Sequence, residues 1–281
     1  MKLLLLLSTL VLAQHIPVFK DADFVFIGSQ APEKVGNWCI ELVAQHPSLG
    51  VPSCRKGGDL MRNPDFATYI SWLEKNYGFK DLAFSLDELV ILDASRESRS
   101  TVGFADTLSR LVENVFIPIC AGGGVRSMAD VEVLFENGAD KIILNTIIYE
   151  NKGLVDDLIK KYGSQSIVAS VDYKKNDVFI KNGSQKIDMK LHDYVDYIDS
   201  LGVGEMYLNA MENDGTGFGY DLETAQKVGK NISMPLIVAG GAGNEKHLIK
   251  GVLTNHIDAV ATANLFNFIG NGLPDARRGI I

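Results

Sequence analysis

Asp172 closes the aliphatic run Ile167-Val168-Ala169-Ser170-Val171. A carboxylate at the end of a buried strand, in a pocket partly stripped of water, can have its pKa raised enough to move protons near neutrality. Asp214, in Asp214-Gly215-Thr216, is the second acidic candidate. From position alone Asp172 also reads as a capping or turn aspartate, and Asp214 as part of a simple Asp-Gly turn. Two glycine runs, Gly122-Gly123-Gly124 and Gly240-Gly241-Ala242-Gly243, each follow an aliphatic stretch. Glycine lets backbone amides approach an oxyanion, and a following helix N-terminus adds favourable potential. Either run alone reads equally well as a tight turn. Together, each followed by a strand ending in Asn145-Thr146 or Ala263-Asn264, they point to two phosphate grips and a substrate with phosphate at both ends.

Metal and triad chemistry find no support. The histidines His15, His46, His192, His247 and His256 are scattered and none ends a strand, and Cys39, Cys54 and Cys120 lack zinc-site spacing. No metal and no cofactor are expected, and the three cysteines read as reduced thiols of a cytoplasmic protein.

These candidates need a scaffold that brings strand ends together. Short aliphatic runs alternate with amphipathic stretches from about residue 87 onward: Leu89–Asp93, Phe116–Ala121, Lys141–Asn145, Ile167–Asp172, Glu205–Asn209, Leu236–Ala239 and Ala259–Ala263. Such alternation predicts a parallel sheet with crossover helices. The helix after Gly124 is predicted to start at Ser127, with Asp130 in its first turn and Val131, Leu134 and Phe135 on its buried stripe.

An internal repeat sharpens the fold. Ile117-Pro118-Ile119-Cys120-Ala121-Gly122-Gly123-Gly124 resembles Met234-Pro235-Leu236-Ile237-Val238-Ala239-Gly240-Gly241, and Leu92-Asp93-Ala94 resembles Leu208-Asn209-Ala210. Two similar halves of strand-helix units predict a single α/β domain over residues 1–281, a (β/α)8 TIM barrel whose active site lies at the C-terminal strand ends. The eighth strand falls to the apolar N-terminus, which is followed by an insertion at roughly 45–85 that holds a helix running from Asn63-Pro64-Asp65 to Gly78. Lys2, Leu3 to Leu7 and Leu10 to Ala13 also resemble a short secretory signal, so strand and signal peptide stay open there. Nothing else is apolar for long enough to span a bilayer.

The 281 residues, 46% hydrophobic and 22% charged, carry a net charge of −8. That balance fits a soluble enzyme and argues against a nucleic-acid partner, which calls for a basic face. Any phosphate must be held locally.

Over most of its length the chain resembles the imidazole glycerol phosphate synthase cyclase (HisF) family. The resemblance rests on Asp87 to Asp93, Ala121 to Ser127, Gly138-Ala139-Asp140-Lys141 through Asn145-Thr146, Gly163 to Val168, Asp214-Gly215-Thr216 with Gly219-Tyr220-Asp221, and Ala239 to Gly243. It implies an ammonia-using synthase in histidine biosynthesis or a related pathway. A glutaminase partner releases ammonia, which crosses the barrel and attacks a phosphorylated small molecule. Asp172 and Asp214 then match catalytic aspartates. Gly124, with Gly123 beside it, Asn145 and Thr146 match one phosphate site; Gly215, Gly241, Ala263 and Asn264, with Thr216 and Gly240 beside them, match the other. Glu88, Lys141 and Glu205 match an ammonia gate at the barrel base, although by themselves they read as a solvated barrel bottom.

The departures are specific. Leu6 falls where the family carries a first-strand aspartate, and Asn264 where a serine is usual. Asp93-Ala94-Ser95-Arg96-Glu97 and Leu273-Pro274-Asp275-Ala276-Arg277-Arg278 are more similar to the branch that turns acetamido groups of surface sugars into acetamidino groups. Three rivals remain: the histidine-pathway cyclase, an inactive barrel that only binds phosphate, and a HisA-type isomerase. The isomerase is disfavoured because it needs no ammonia route.

Overall fold

Aliphatic strands buried on both faces form the frame. The computed structural model describes residues 3–4, 87–93, 101–112 and 117–262. The insertion at 45–85, Leu6, Cys39, Cys54, Ala263, Asn264 and the C-terminal ending lie outside the described residues. Among the described residues ten strands share one sheet: β1 (Leu3–Leu4), β2 (Leu89–Leu92), β3 (Ile119–Gly122), β4 (Lys141–Leu144), β5 (Ile167–Lys174), β6 (Asp177–Ile180), β7 (Gln185–Lys190), β8 (Glu205–Ala210), β9 (Leu236–Ala239) and β10 (Ala259–Val260). The order β1-β10-β9-β8-β5-β4-β3-β2 uses only parallel pairs. Helices alternate with these strands, so the architecture is the predicted (β/α)8 barrel. Leu3 and Leu4 pair with Ala259 and Val260, which gives the apolar N-terminus the place of the first strand.

Strand periodicity sorts the core into two layers. Val90, Cys120, Ile143, Val168, Tyr207, Ile237, Ala239, Ala259 and Ala261 pack together on the inside. Their neighbours Ile91, Ile119, Ile142, Ala169, Leu208 and Val238 face outward against the helices. The helices among the described residues are α1 (Thr101–Val112), α2 (Met128–Glu136), α3 (Thr146–Glu150), α4 (Lys152–Tyr162), α5 (Leu191–Leu201), α6 (Leu222–Gly229) and α7 (Glu245–Leu253). In α2 the predicted start holds: Asp130 N donates to Ser127 Oγ at 3.2 Å and Ser127 N to Asp130 Oδ2 at 2.9 Å, a reciprocal cap. Val131 and Leu134 are fully buried on its stripe. No helix among the described residues is long and apolar enough to cross a membrane.

Two strands were not expected. After Asp172 the chain continues through β5 to Lys174 and returns as the antiparallel hairpin β6–β7. Its signal was the Asn182-Gly183 pair, where Lys181, Asn182 and Gly183 all adopt left-handed backbone. The flanking strands are short and largely polar, with Asp177 bridged to Lys186 and Lys190, so alternation alone does not reveal them.

Candidate active site at the C-terminal mouth

Following the inward columns from the N-terminal to the C-terminal ends of the strands separates three levels. The lowest carries charge on Glu88, Lys141 and Glu205. The middle holds the apolar interior cluster, in which Tyr207 packs with small residues such as Cys120, Ala239 and Ala259. The upper level carries Asn145, Asp172 and Asn209, which continue the same inward phase.

Asp172 is the centre of the upper level. Asn209 Nδ2 donates to Asp172 Oδ1 at 2.8 Å and Asn145 Nδ2 to Oδ2 at 3.2 Å. Asn145 Nδ2 also reaches Ser170 O at 3.1 Å, which fixes the amide over the strand end. Both donors are amides, and among the described residues no cation pairs with this carboxylate. Burial therefore dominates and pushes its pKa up to about 6, opposed by the Asn209 hydrogen bond and reinforced by the Asp214 charge. Asp214 sits exposed in the loop after β8. The surrounding protein removes part of its water and raises its pKa, while the Gly215 N–H works the other way.

The two glycine runs leave β3 and β9, the third and seventh barrel strands, so they face each other across the mouth. Backbone proximity explains two of the glycines directly. A Cβ on Gly123 (φ +98°) would stand 2.0 Å from Asp93 O, and one on Gly241 (φ +104°) 2.1 Å from Gly219 O. On one side Asn145 and Thr146 join Gly123 and Gly124; Thr146 Oγ1 accepts from Lys181 N of the hairpin at 3.0 Å. On the other, Gly240 and Gly241 lie beside the 213–219 loop, where Thr216 Oγ1 donates to Asn213 O at 2.7 Å. That hydroxyl proton is committed within the loop, so Thr216 holds the shape of the loop. Asp221, part of the sequence pattern, caps α6 through Thr224 N and accepts from Tyr173 Oη, a structural role.

Two residues at the mouth escaped the sequence. Asn209 was visible only as a repeat match; what identifies it is its inward phase one strand from Asp172. His247 accepts from Gly243 N through Nδ1 at 3.1 Å, and its ring lies against Gly219, at the junction of the two loops. A histidine in the first turn of a helix gave no such indication.

At the lower level Lys141 Nζ bonds Glu88 Oε2 and Glu205 Oε1, each at 2.7 Å. Glu88 is only 3% exposed, and burial raises its pKa despite the lysine. Glu88 Oε1 and Glu205 Oε2 are buried without a hydrogen-bond partner. Cys120, just above, is a free buried thiol whose pKa burial raises, so it is inert as a nucleophile.

Known proteins are similar to this chain in sequence. The family model described as "Histidine biosynthesis protein" matches residues 74–270. A protein of Parasynechococcus marenigrum (strain WH8102) named "Putative imidazole glycerol phosphate synthase subunit hisF2" is 44% identical over 210 residues, covering 73% of this chain and 78% of that protein. The "Imidazole glycerol phosphate synthase subunit HisF" of Pyrobaculum aerophilum is 38% identical over 186 residues, 65% of this chain and 73% of the relative. The protein of the same name from Alkaliphilus metalliredigens is 29% identical over 199 residues, 69% and 79% respectively. With the barrel, the paired glycine loops and these matches in hand, the chain belongs to the histidine biosynthesis protein family, in its HisF group.

Proposed function

We propose that the protein is an ammonia-dependent synthase subunit that acts on a phosphorylated small molecule, with ammonia supplied by a glutaminase partner at the Glu88–Lys141–Glu205 end of the barrel. The observation that carries this reading is the uncompensated Asp172 carboxylate between two glycine loops. With a pKa of about 6 it is mostly ionised at pH 7 yet basic enough to take a proton from a nitrogen attacking the substrate. Asn145 and Asn209 hold it in place. The glycine loops bind the phosphate ends, Asn145 and Thr146 joining the first and, by the sequence pattern, Ala263 and Asn264 the second, and Asp214 is the second acid/base group. The lower ring sets the Lys141 cation between two carboxylates at the end where ammonia enters.

The pathway assignment favours amidination of an acetamido group on a surface sugar, in the cytoplasm. It rests on Leu6 in place of a first-strand aspartate and on the 93–97 and 273–278 segments. When ammonia adds to an acetamido carbonyl carbon, the C–N bond forms, the C–O bond breaks and the oxygen leaves as water, proton traffic at a single carbon that one well-placed shuttle can serve, whereas ring closure with lysis calls for two. The names of the relatives favour a second reading, the imidazole glycerol phosphate synthase cyclase. Purified protein, high ammonium salt and the histidine-pathway bisphosphate intermediate separate the two. The amidination reading expects the bisphosphate to bind without release of imidazole glycerol phosphate. Release at a steady rate overturns it in favour of the cyclase.

A further inference from the structure

Phe218 is 88% exposed, more than any other large hydrophobic residue among those described. It is not on a loose tip. The loop that carries it runs from Asn213 to Gly219 and is bonded from within: Thr216 N and Oγ1 both donate to Asn213 O, at 3.0 and 2.7 Å, and Phe218 N donates to Thr216 Oγ1 at 3.2 Å. Asn213 Nδ2 closes it by donating to Gly219 O at 3.0 Å. The loop is then bonded to the glycine run after β9, with Gly219 N donating to Gly241 O at 2.7 Å. His247, bonded to Gly243 N, packs its ring against Gly219. An aromatic ring is therefore held in water on a pinned loop, whose backbone at Gly217 and Gly219 lies against the Gly240–Gly243 run and which also carries Asp214.

We infer that Phe218 is a specificity residue that stacks on a planar, unsaturated part of the substrate lying next to the phosphate held by the Gly240–Gly243 loop. The inference rests on the phosphate-binding reading of that loop. A ring kept exposed by a pre-ordered loop gives up its own burial in the free protein and recovers it when a flat partner covers it. A protein partner at this place would cover the mouth through which substrate enters, so the occupant is the substrate itself. Because the loop is already ordered, little conformational freedom is lost on stacking, and the contact contributes to affinity nearly in full.

Calorimetric titration of the full chain with inorganic phosphate, ribose 5-phosphate and phenyl phosphate tests this. Phenyl phosphate is expected to bind about tenfold more tightly than inorganic phosphate or ribose 5-phosphate, in line with a ring-stacking contribution. In Phe218→Ala that preference disappears while inorganic phosphate binds within about twofold of the parent, and in Phe218→Trp it is kept. An unchanged preference in Phe218→Ala, with phosphate binding intact, overturns the stacking role alone. Failure of the parent protein to bind any of the three overturns the phosphate loop and the stacking role together.

Discussion

The two ends of the barrel interior handle buried charge in opposite ways. At the lower end Lys141 stands 2.7 Å from each of two carboxylates, so the attraction within the ring offsets part of the cost of removing the charges from water, although burial still raises the Glu88 pKa. At the upper end Asp172 has only amide donors, Asn145 and Asn209, and its charge stays expensive. Both sets sit on inward strand positions at the same phase, so the fold does not distinguish them. The difference is the presence or absence of a cation. A ring built around a cation suits a passage, whereas the uncompensated Asp172 carboxylate, its pKa pushed up to about 6, suits proton transfer.

The largest expected effect breaks the upper end. Asp172→Asn keeps the shape but removes the base, and ammonia-dependent turnover should fall by about a thousandfold or more, with phosphate binding nearly unchanged. Stability should move the other way. Because the folded pKa of Asp172 lies above its unfolded value of 3.8, ionising it costs folding energy as pH rises through about 6. Asp172→Asn should therefore be more stable than the parent at pH 8, by about 1–2 kcal/mol after allowing for the less favourable contacts of an amide with Asn145 and Asn209, and the gain should vanish near pH 4. Undiminished turnover in this variant would remove Asp172 from the chemistry.

At the lower end the same operation has the opposite sign for stability. Lys141→Met leaves Glu88 buried without a cation and should cost about 3 kcal/mol at pH 8, read as a drop in the denaturation midpoint. Toward pH 5 the loss should shrink, since Glu88, already raised by burial, becomes protonated once the lysine is gone. A loss that is the same at both pH values would mean that the ring is held by packing and not by charge.

How legible this contrast was in the sequence differs between the two ends. The strands could be read because a residue buried on both faces leaves a continuous aliphatic run, and the position of Asp172 at the end of such a run marked it directly. The glycine loops were legible because Gly123 and Gly241 answer to backbone contacts within one βα unit or its neighbour. What local patterns do not encode is which inward residues meet across strands. Lys141 lies 53 positions from Glu88 and 64 from Glu205, and only the shared register brings them within hydrogen-bond distance. The resemblance to HisF proteins supplied that grouping, and the geometry now gives its physical basis. Asn209 was passed over for the same reason, because its partner is 37 residues away. The hairpin was missed because its strands are stabilised by Lys186 and Lys190 on Asp177, a charge pattern that resembles any solvated loop.

The smallest expected effect sharpens the comparison most, because it changes the upper end without removing its charge. Asn209 donates to the ionised form of Asp172 and so lowers a pKa that burial raises. Asn209→Ala removes the donor, the carboxylate is left with Asn145, and its pKa must rise further. Turnover needs the ionised base, so the acid limb of the pH–rate profile should move to higher pH. At pH 6 the rate should fall by about tenfold, while at pH 8.5, where both proteins are ionised, it should fall by no more than about threefold. Asn209→Ser, which retains a donor on the same inward position, should recover part of the shift. If the rate instead falls by the same factor at every pH, Asn209 shapes the mouth without tuning the proton. The protonation of Asp172 would then be governed by its burial and by Asp214 across the loop.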